Sequence, residues 1–316
     1  MIAFNGIRAI NGVIWGVPIE LKTLADTNRF QNNSISNLRK SAPEFGVYDP
    51  GSKFSGSKYF NSEQLYFSWI NPNVSSIRSE ITRIYSSNRT PVITIEPWNG
   101  NNDEKNLLAD IVKGKYDTCI DKTIKILSEF SGRMYISWGH EMDQDLTKRY
   151  PWSGKDPESY ILAYRYIHDK LNKTLNNKIM WIWAPVVKQG CEKYWPGSEY
   201  VDFIGIPIYS YPVWDKSYYG HIRSFKSWYD EKYALIKKFQ KPIIIVELGV
   251  TGSSDYQTFW LQEAFQNINN LPSVEMILFF YAADISGSWG EKIETPDWRT
   301  DSGTVIGLIK WIKNEY

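Results

Sequence analysis

The chain has little cysteine, almost no net charge and no long apolar run, and each shortage removes a class of function. Its two cysteines, Cys119 and Cys191, sit in neither a CxxC nor a mixed Cys/His ligand spacing, so a structural metal site is not expected. They lie far apart in sequence and neither has a local partner, which leaves their pairing open. A formal charge of +1 offers no electrostatic footprint for nucleic acid or an anionic membrane. No stretch approaches the ~18 apolar residues of a membrane helix. The N-terminal MIAFNGIRAINGVIWGVPIELK lacks a basic region followed by a long apolar segment, so no secretory leader is evident. G-x-G-x-x-G and P-loop patterns are missing as well, which argues against a nucleotide, and no other cofactor is expected.

Aromatic residues are what the chain has in excess: 14 Trp, 21 Tyr and 14 Phe make up 16% of it. Part of that must fill a core. Flat aromatic faces also pack against the C–H faces of sugar rings, so a polysaccharide partner gains weight.

The 316 residues fit one large domain. Residues 12–19 form a possible strand and 27–37 are polar, so residues 1–40 read as an N-terminal extension lying against a main domain of residues 41–316. In the main domain, strand candidates recur at 45–48, 64–70, 91–96, 133–138, 179–184, 201–208, 242–247 and 276–281. Between them lie helical spacings such as Ile120, Ile124, Leu127 and Phe130, and Tyr160, Tyr164, Ile167 and Leu171. Asp156 and Pro157 mark the start of the second of these helices as N-cap and first helical residue. VITIE, PIIIVE and MILFFY are apolar on both faces, as parallel strands covered by helices must be. Eight such strands with intervening helices predict an α/β fold, a (β/α)8 TIM barrel, with a doubly wound sheet as the alternative.

In such a barrel the site forms at the C-terminal strand ends. Those ends carry carboxylates and aromatics, with Glu141 after the fourth strand and Glu247 at the end of the seventh. In a closed barrel the two face each other across the mouth. Paired carboxylates are what glycoside hydrolysis needs, one to protonate the leaving oxygen and one to attack the anomeric carbon or activate water.

WGHEM, YPWSGKDPESYILAYR, WIWAP, YVDFIGIPIYSY, PIIIVELG and DWR, in that order, resemble glycoside hydrolase family 26 of clan A. This is a family of retaining β-glycanases on a (β/α)8 barrel, known as β-1,4-mannanases, mixed-linkage β-1,3-1,4-glucanases and β-1,3-xylanases. The resemblance implies that Glu141 is the acid/base and Glu247 the nucleophile. It also implies that His140 positions the substrate and that Tyr209 hydrogen-bonds the nucleophile. Asp143 falls where members often carry Asn and is a candidate for a sugar hydroxyl. Trp98, Trp152, Trp183 and Trp289 are candidate sugar platforms, though each is also an ordinary core residue type. Glu96 is expected in a supporting structural role.

The chain departs from the mannanase pattern after Glu141. Its loop runs through Asp143-Gln144-Asp145-Leu146-Thr147-Lys148-Arg149, with Arg149 in place of a Trp, and Ser137 stands where many members have Arg. Lys148 and Arg149 become candidate contacts to an acidic or substituted sugar. The expected function is a retaining endo-β-glycanase, with β-1,4-mannan leading and mixed-linkage glucan, β-1,3-xylan or an exopolysaccharide as alternatives. A polymeric substrate implies an extracellular or cell-surface protein, and a monomer is the simplest expectation. A carbohydrate-binding barrel without catalysis would lack one of the two Glu, and both are present. An aldolase-like or phosphate-binding barrel would want a strand-end Lys and a Gly-rich loop, and neither is found.

Overall fold

A computed structural model describes residues 42–314 apart from 71, 99–105, 145–148, 176–177, 269 and 290–292. The expected strand at 12–19, and the extension of residues 1–40, lie outside the described residues. Eight strands, β1 (Glu44–Tyr48), β2 (Ser62–Ser68), β3 (Thr90–Glu96), β4 (Met134–Trp138), β5 (Ile179–Trp183), β6 (Phe203–Ser210), β7 (Ile243–Val250) and β8 (Val274–Phe280), follow in order. All pair in parallel with their sequence neighbours, and β8 closes on β1. The doubly wound alternative is thereby excluded.

Helix α1 (Val74–Ser86) follows β2, α2 (Leu107–Val112) and α3 (Asp117–Ser128) follow β3, and α4 (Pro157–Leu175) follows β4. After β6 come α5 (Pro212–Tyr219) and α6 (Phe225–Ile236), then α7 (Ser254–Ile268) after β7 and α8 (Ser302–Lys313) after β8. Helix α4 starts where its sequence signals it: the Asp156 carboxylate accepts from Ser159 N at 2.8 Å, and Tyr160, Tyr164, Ile167 and Leu171 form its buried face.

The expected alternation breaks at two connections. Turns join β1 to β2, and turns with two short 3-10 segments join β5 to β6. The first connection reads GSKFSGSKYF, and the second contains Gly190, Pro196 and Gly197, compositions that interrupt helices. Arg89 holds the first in place. Its buried guanidinium pairs with Glu63 at 2.6 Å and donates to the carbonyls of Phe54 and Ser57.

Side chains alternate across each strand. Phe45, Leu65, Phe67, Ile93, Ile95, Ile136, Trp138, Trp181, Trp183, Ile204, Ile206, Ile277 and Phe279 belong to the layer between barrel and helices. Val92, Ile182, Ala184, Ile244, Val246, Met276 and Leu278 fill the barrel interior. Full burial of each aliphatic side chain contributes roughly 1.5–3 kcal/mol against conformational entropy of similar total size. Both cysteine thiols are free, Cys191 buried and Cys119 partly so.

Candidate active site

The alternation that packs the barrel also selects the residues at its mouth. On β2, Leu65 and Phe67 point outward, so Gln64 and Tyr66 point in. On β6, the outward Ile204, Ile206 and Ile208 leave Gly205, Pro207 and Tyr209 facing inward.

Strand β7 breaks the pattern at the decisive residue. Ile245 faces the helices and Val246 the interior, so strict alternation would turn Glu247 outward. Instead the register shifts against both neighbours, between Ile206 and Pro207 on β6 and between Ile245 and Leu248 on β7. Leu248 packs outward, and Val246 and Glu247 both line the interior cavity. This is a β-bulge that re-aims one side chain, and Pro207, with no N–H to give the ladder, sits opposite it. Glu247 is therefore inside strand β7, which continues to Val250, and not at its end as the sequence suggested.

Each oxygen of the Glu247 carboxylate receives a phenol. Tyr66 Oη donates to Oε1 and Tyr209 Oη to Oε2, both at 2.7 Å. The Tyr209 ring lies 4.4 Å from that of Trp298 and directly over Gly249, where a Cβ would come within 2.6 Å of it.

Glu141 is presented differently. Strand β4 stops at Trp138, and the chain turns through Gly139 at φ +56° and Glu141 at φ +54°. A left-handed glutamate costs about 1–3 kcal/mol, and its surroundings hold it there. Glu141 N donates to Ala184 O at 2.8 Å, Ser153 Oγ to Glu141 O at 2.8 Å and Trp152 Nε1 to His140 O at 2.7 Å.

The two carboxyls feel different environments. Burial pushes Glu141 up to about 8, the Glu247 charge adds to this, and Arg149 opposes it. Burial also raises Glu247, but the Tyr66 and Tyr209 hydroxyls and Arg149 pull it back toward the ionised form. Glu141 thus keeps its proton near neutrality, while Glu247 has two donors that favour its anion. His140 is buried and, with Arg149 nearby, pushed down to about 3, so it is neutral in the working range. Its Nε2 lies 3.1 Å from Tyr150 Oη and 4.0 Å from Glu96 Oε1. Beneath the pair is a cavity of about 10 Å³ lined by Gln64, Thr94, Ser137 and His140 among others.

Three of the expected contacts take other places. Trp183 is on the outward face of β5, wholly buried against Trp195 and Phe239, so no sugar can reach it. The parity of WIWAP, with Ile182 and Ala184 inward, is the reason. Trp152 is also wholly buried, stacked on Tyr150 at 4.5 Å, and supports the His140–Glu141 turn. Asp143 faces no sugar site either. Its carboxylate accepts from Val186 N, Val187 N and Lys188 N at 2.7, 3.0 and 3.2 Å. It thereby fixes the loop after β5, where Val187 has φ +64°, a costly conformation for a β-branched residue. Buried Lys232 completes that clamp by donating to Val186 O. Arg149 stays at the mouth. It lies over the Tyr150 ring at 5.2 Å and faces Glu141, Asp284 and Glu247.

Trp98 and Trp289 stay partly exposed at the mouth. Trp98 Nε1 bonds Glu96 at 3.1 Å, and Trp289 Nε1 bonds Asp284 at 2.8 Å. Lys148 lies outside the described residues. Sequence reasoning missed Tyr66, Tyr150 and Lys232. Tyr66 was within reach, since the apolar Leu65 and Phe67 on either side already fixed its direction. Among the described residues, no three His, Cys, Asp or Glu group as a metal-ligand set.

Barrel glycosidases carry out hydrolysis with two carboxyls on facing strands, and the β4–β7 pair puts this chain in the class of glycoside hydrolases. Sequence makes the assignment narrower: residues 102–283 match the model of glycosyl hydrolase family 26, and the chain belongs to that family. It is 24% identical over 107 residues to a β-1,3-xylanase of a Vibrio species, a match covering 32% of this chain and 22% of the xylanase. In structure it is similar to a family 26 β-mannanase from Bacteroides ovatus, with a TM-score of 0.61 at 14% identity over 87% of this chain and 88% of that one. The catalytic domain of an endo-β-1,4-mannanase from Bacillus sp. JAMB-750 gives a TM-score of 0.60 at 12% identity over 88% and 86%. At these identities the structural likeness speaks for the fold.

Proposed function

We propose that the chain is a retaining endo-β-glycanase acting on a neutral β-linked polysaccharide, with β-1,4-mannan as the leading substrate. The observation that carries this is the asymmetry of the pair, Glu247 bonded by two tyrosine hydroxyls and Glu141 held protonated by burial. Glu247 attacks the anomeric carbon as the glycosidic C–O bond breaks, and the Glu141 proton passes to the departing oxygen. Glu141, now a carboxylate, takes a proton from water. The water oxygen attacks the anomeric carbon and releases Glu247, and the two inversions add up to retention. Such a mechanism requires the two carboxyls ~5–5.5 Å apart.

Charge supports a neutral substrate. Arg149 was a candidate partner for an acidic sugar, but its charge already faces Glu141, Asp284 and Glu247. An anionic sugar would also meet the Glu247 anion. Mixed-linkage glucan and β-1,3-xylan remain alternatives to mannan because the loop from Gln144 to Arg149 departs from the mannanase pattern. From a polymeric substrate we infer action outside the cell or at its surface.

The test is reducing-end release from galactomannan, mixed-linkage glucan and β-1,3-xylan, with product anomers followed by NMR. The β-anomer should form first, and Glu247→Ala should abolish release. Initial formation of the α-anomer, or normal turnover by Glu247→Ala, would overturn the mechanism. Cleavage of mixed-linkage glucan without galactomannan would replace the leading substrate.

A further inference from the structure

A line of aromatic rings leads out of the site beside Tyr209. The Tyr209 and Trp289 ring centroids are 5.8 Å apart, those of Trp289 and Trp214 5.3 Å, and those of Trp214 and Tyr218 4.8 Å. The first two contacts are edge-to-face, at 84° and 83°, and the third is face-to-face, so the rings join into one continuous aromatic surface. Trp214 and Tyr218, four residues apart on α5, lie on the same side of that helix and stack within 6° of parallel. Tyr218 remains 56% exposed and neighbouring Val213 64% exposed. An apolar patch of this kind, kept open to solvent and continuous with a catalytic cleft, marks a binding surface.

The line also has a fixed foundation. Asp215, on the same short helix, is 1% exposed and accepts hydrogen bonds from the Arg223 backbone N–H and the Ser210 hydroxyl. The Arg223 guanidinium lies 3.8 Å over the Trp228 ring and 5.0 Å over Tyr219, whose ring meets Trp214 edge-on at 5.5 Å. Glu231 takes up the charge of Arg223, so the surface above offers ring faces and edges and not a cation.

We propose that Trp289, Trp214 and Tyr218 form an aromatic ledge that binds uncharged pyranose units of the polymer several residues beyond the bond being cleaved. The ledge rests on the reading of the chain as a β-glycanase and adds a direction to it: the polymer leaves the cleft on the side of β6 and β8, over α5. Binding there is by stacking, so it depends on chain length and little on ionic strength.

The experiment uses the Glu247→Gln full chain in affinity gels carrying galactomannan, mixed-linkage glucan or β-1,3-xylan, with and without Trp214→Ala/Tyr218→Ala. Tyr218→Ser alone, at an exposed position, guards against a folding defect, and circular dichroism checks both. Loss of stacking should weaken binding to the retarding polymer by about five- to tenfold in the double variant and by less in the single one. Unchanged retardation of the double variant would overturn the ledge while leaving hydrolysis by the wild type intact. If the wild type cleaves none of the polymers but binding still depends on Trp214 and Tyr218, the ledge stands and the hydrolytic reading fails. Retention of the double variant equal to the parent only at high salt would point to a charged ligand and also overturn it.

Discussion

Tyr66→Phe removes one oxygen atom and isolates the bond that most clearly separates the two carboxyls. The lost interaction is a 2.7 Å hydrogen bond from a phenol to a Glu247 oxygen. A hydrogen bond to a charged acceptor contributes about 1.5–3 kcal/mol, and the partial exposure of both groups places this one toward the lower end. The sign follows from which form is bonded. The phenol stabilises the Glu247 anion, so without it Glu247 holds its proton more tightly and the acid limb of kcat/KM moves to higher pH. The alkaline limb reports loss of the Glu141 proton, which burial places at about 8, and should stay where it is. At pH values on the acid limb, where rate follows the ionised fraction, Tyr66→Phe should lower kcat/KM by about tenfold. On the plateau between the limbs the loss should be smaller. The assay is a full pH–rate profile on a soluble oligosaccharide, beside Tyr209→Phe, which should move the acid limb in the same direction. An unmoved acid limb, or a shift of the alkaline limb alone, would refute the assignment of Glu247 as the ionised partner.

Three further substitutions probe the scaffold. Gly249→Ala sets a Cβ 2.6 Å from the Tyr209 ring and 3.0 Å from Trp298, so Tyr209 must shift off Glu247. Its acid limb should move as in Tyr209→Phe, and a wild-type profile would show that the ring has room to yield. Asp143→Asn replaces two accepting oxygens with one and turns an amide toward a backbone N–H, leaving at least one of three donors unpaired. Urea unfolding should show a loss of about 1–3 kcal/mol, and an unchanged midpoint would mean that the Val187 turn needs no carboxylate. Arg89→Met leaves buried Glu63 with Arg83 as its remaining partner and frees the turns after β1. The expected cost is about 3 kcal/mol in the same assay, and stability within 1 kcal/mol of wild type would show that the Phe54 and Ser57 contacts carry no weight.

What could be read in the sequence is what neighbouring residues encode. Apolar runs bounded by turn residues located the eight strands within a few residues, and within a regular strand a period of two ties the direction of one side chain to that of its neighbours. Leu65 and Phe67 aim Tyr66 inward, and Ile182 and Ala184 aim Trp183 outward, although only the second of these contradicted an expectation. The cap at Asp156 is equally local and was found where its residues stand. The ordinal positions of Glu141 and Glu247 indicated a pair before any coordinate did.

Tertiary structure decided the rest, because it depends on register between distant segments. A period of two places Glu247 on the outer face of β7, and only a shift in pairing with both β6 and β8 turns it into the mouth. Tyr66 and Glu247 are 181 residues apart, and no local pattern ties their bond together. The left-handed turn at Glu141 survives because Ala184, Ser153 and Trp152, from other segments, hold it. Asp143 looked like a ligand contact and is a clamp, since three backbone N–H groups from the loop after β5 reach it before any sugar can. Sequence determined which strands carry the chemistry, and the pairing of those strands determined which way the chemistry faces.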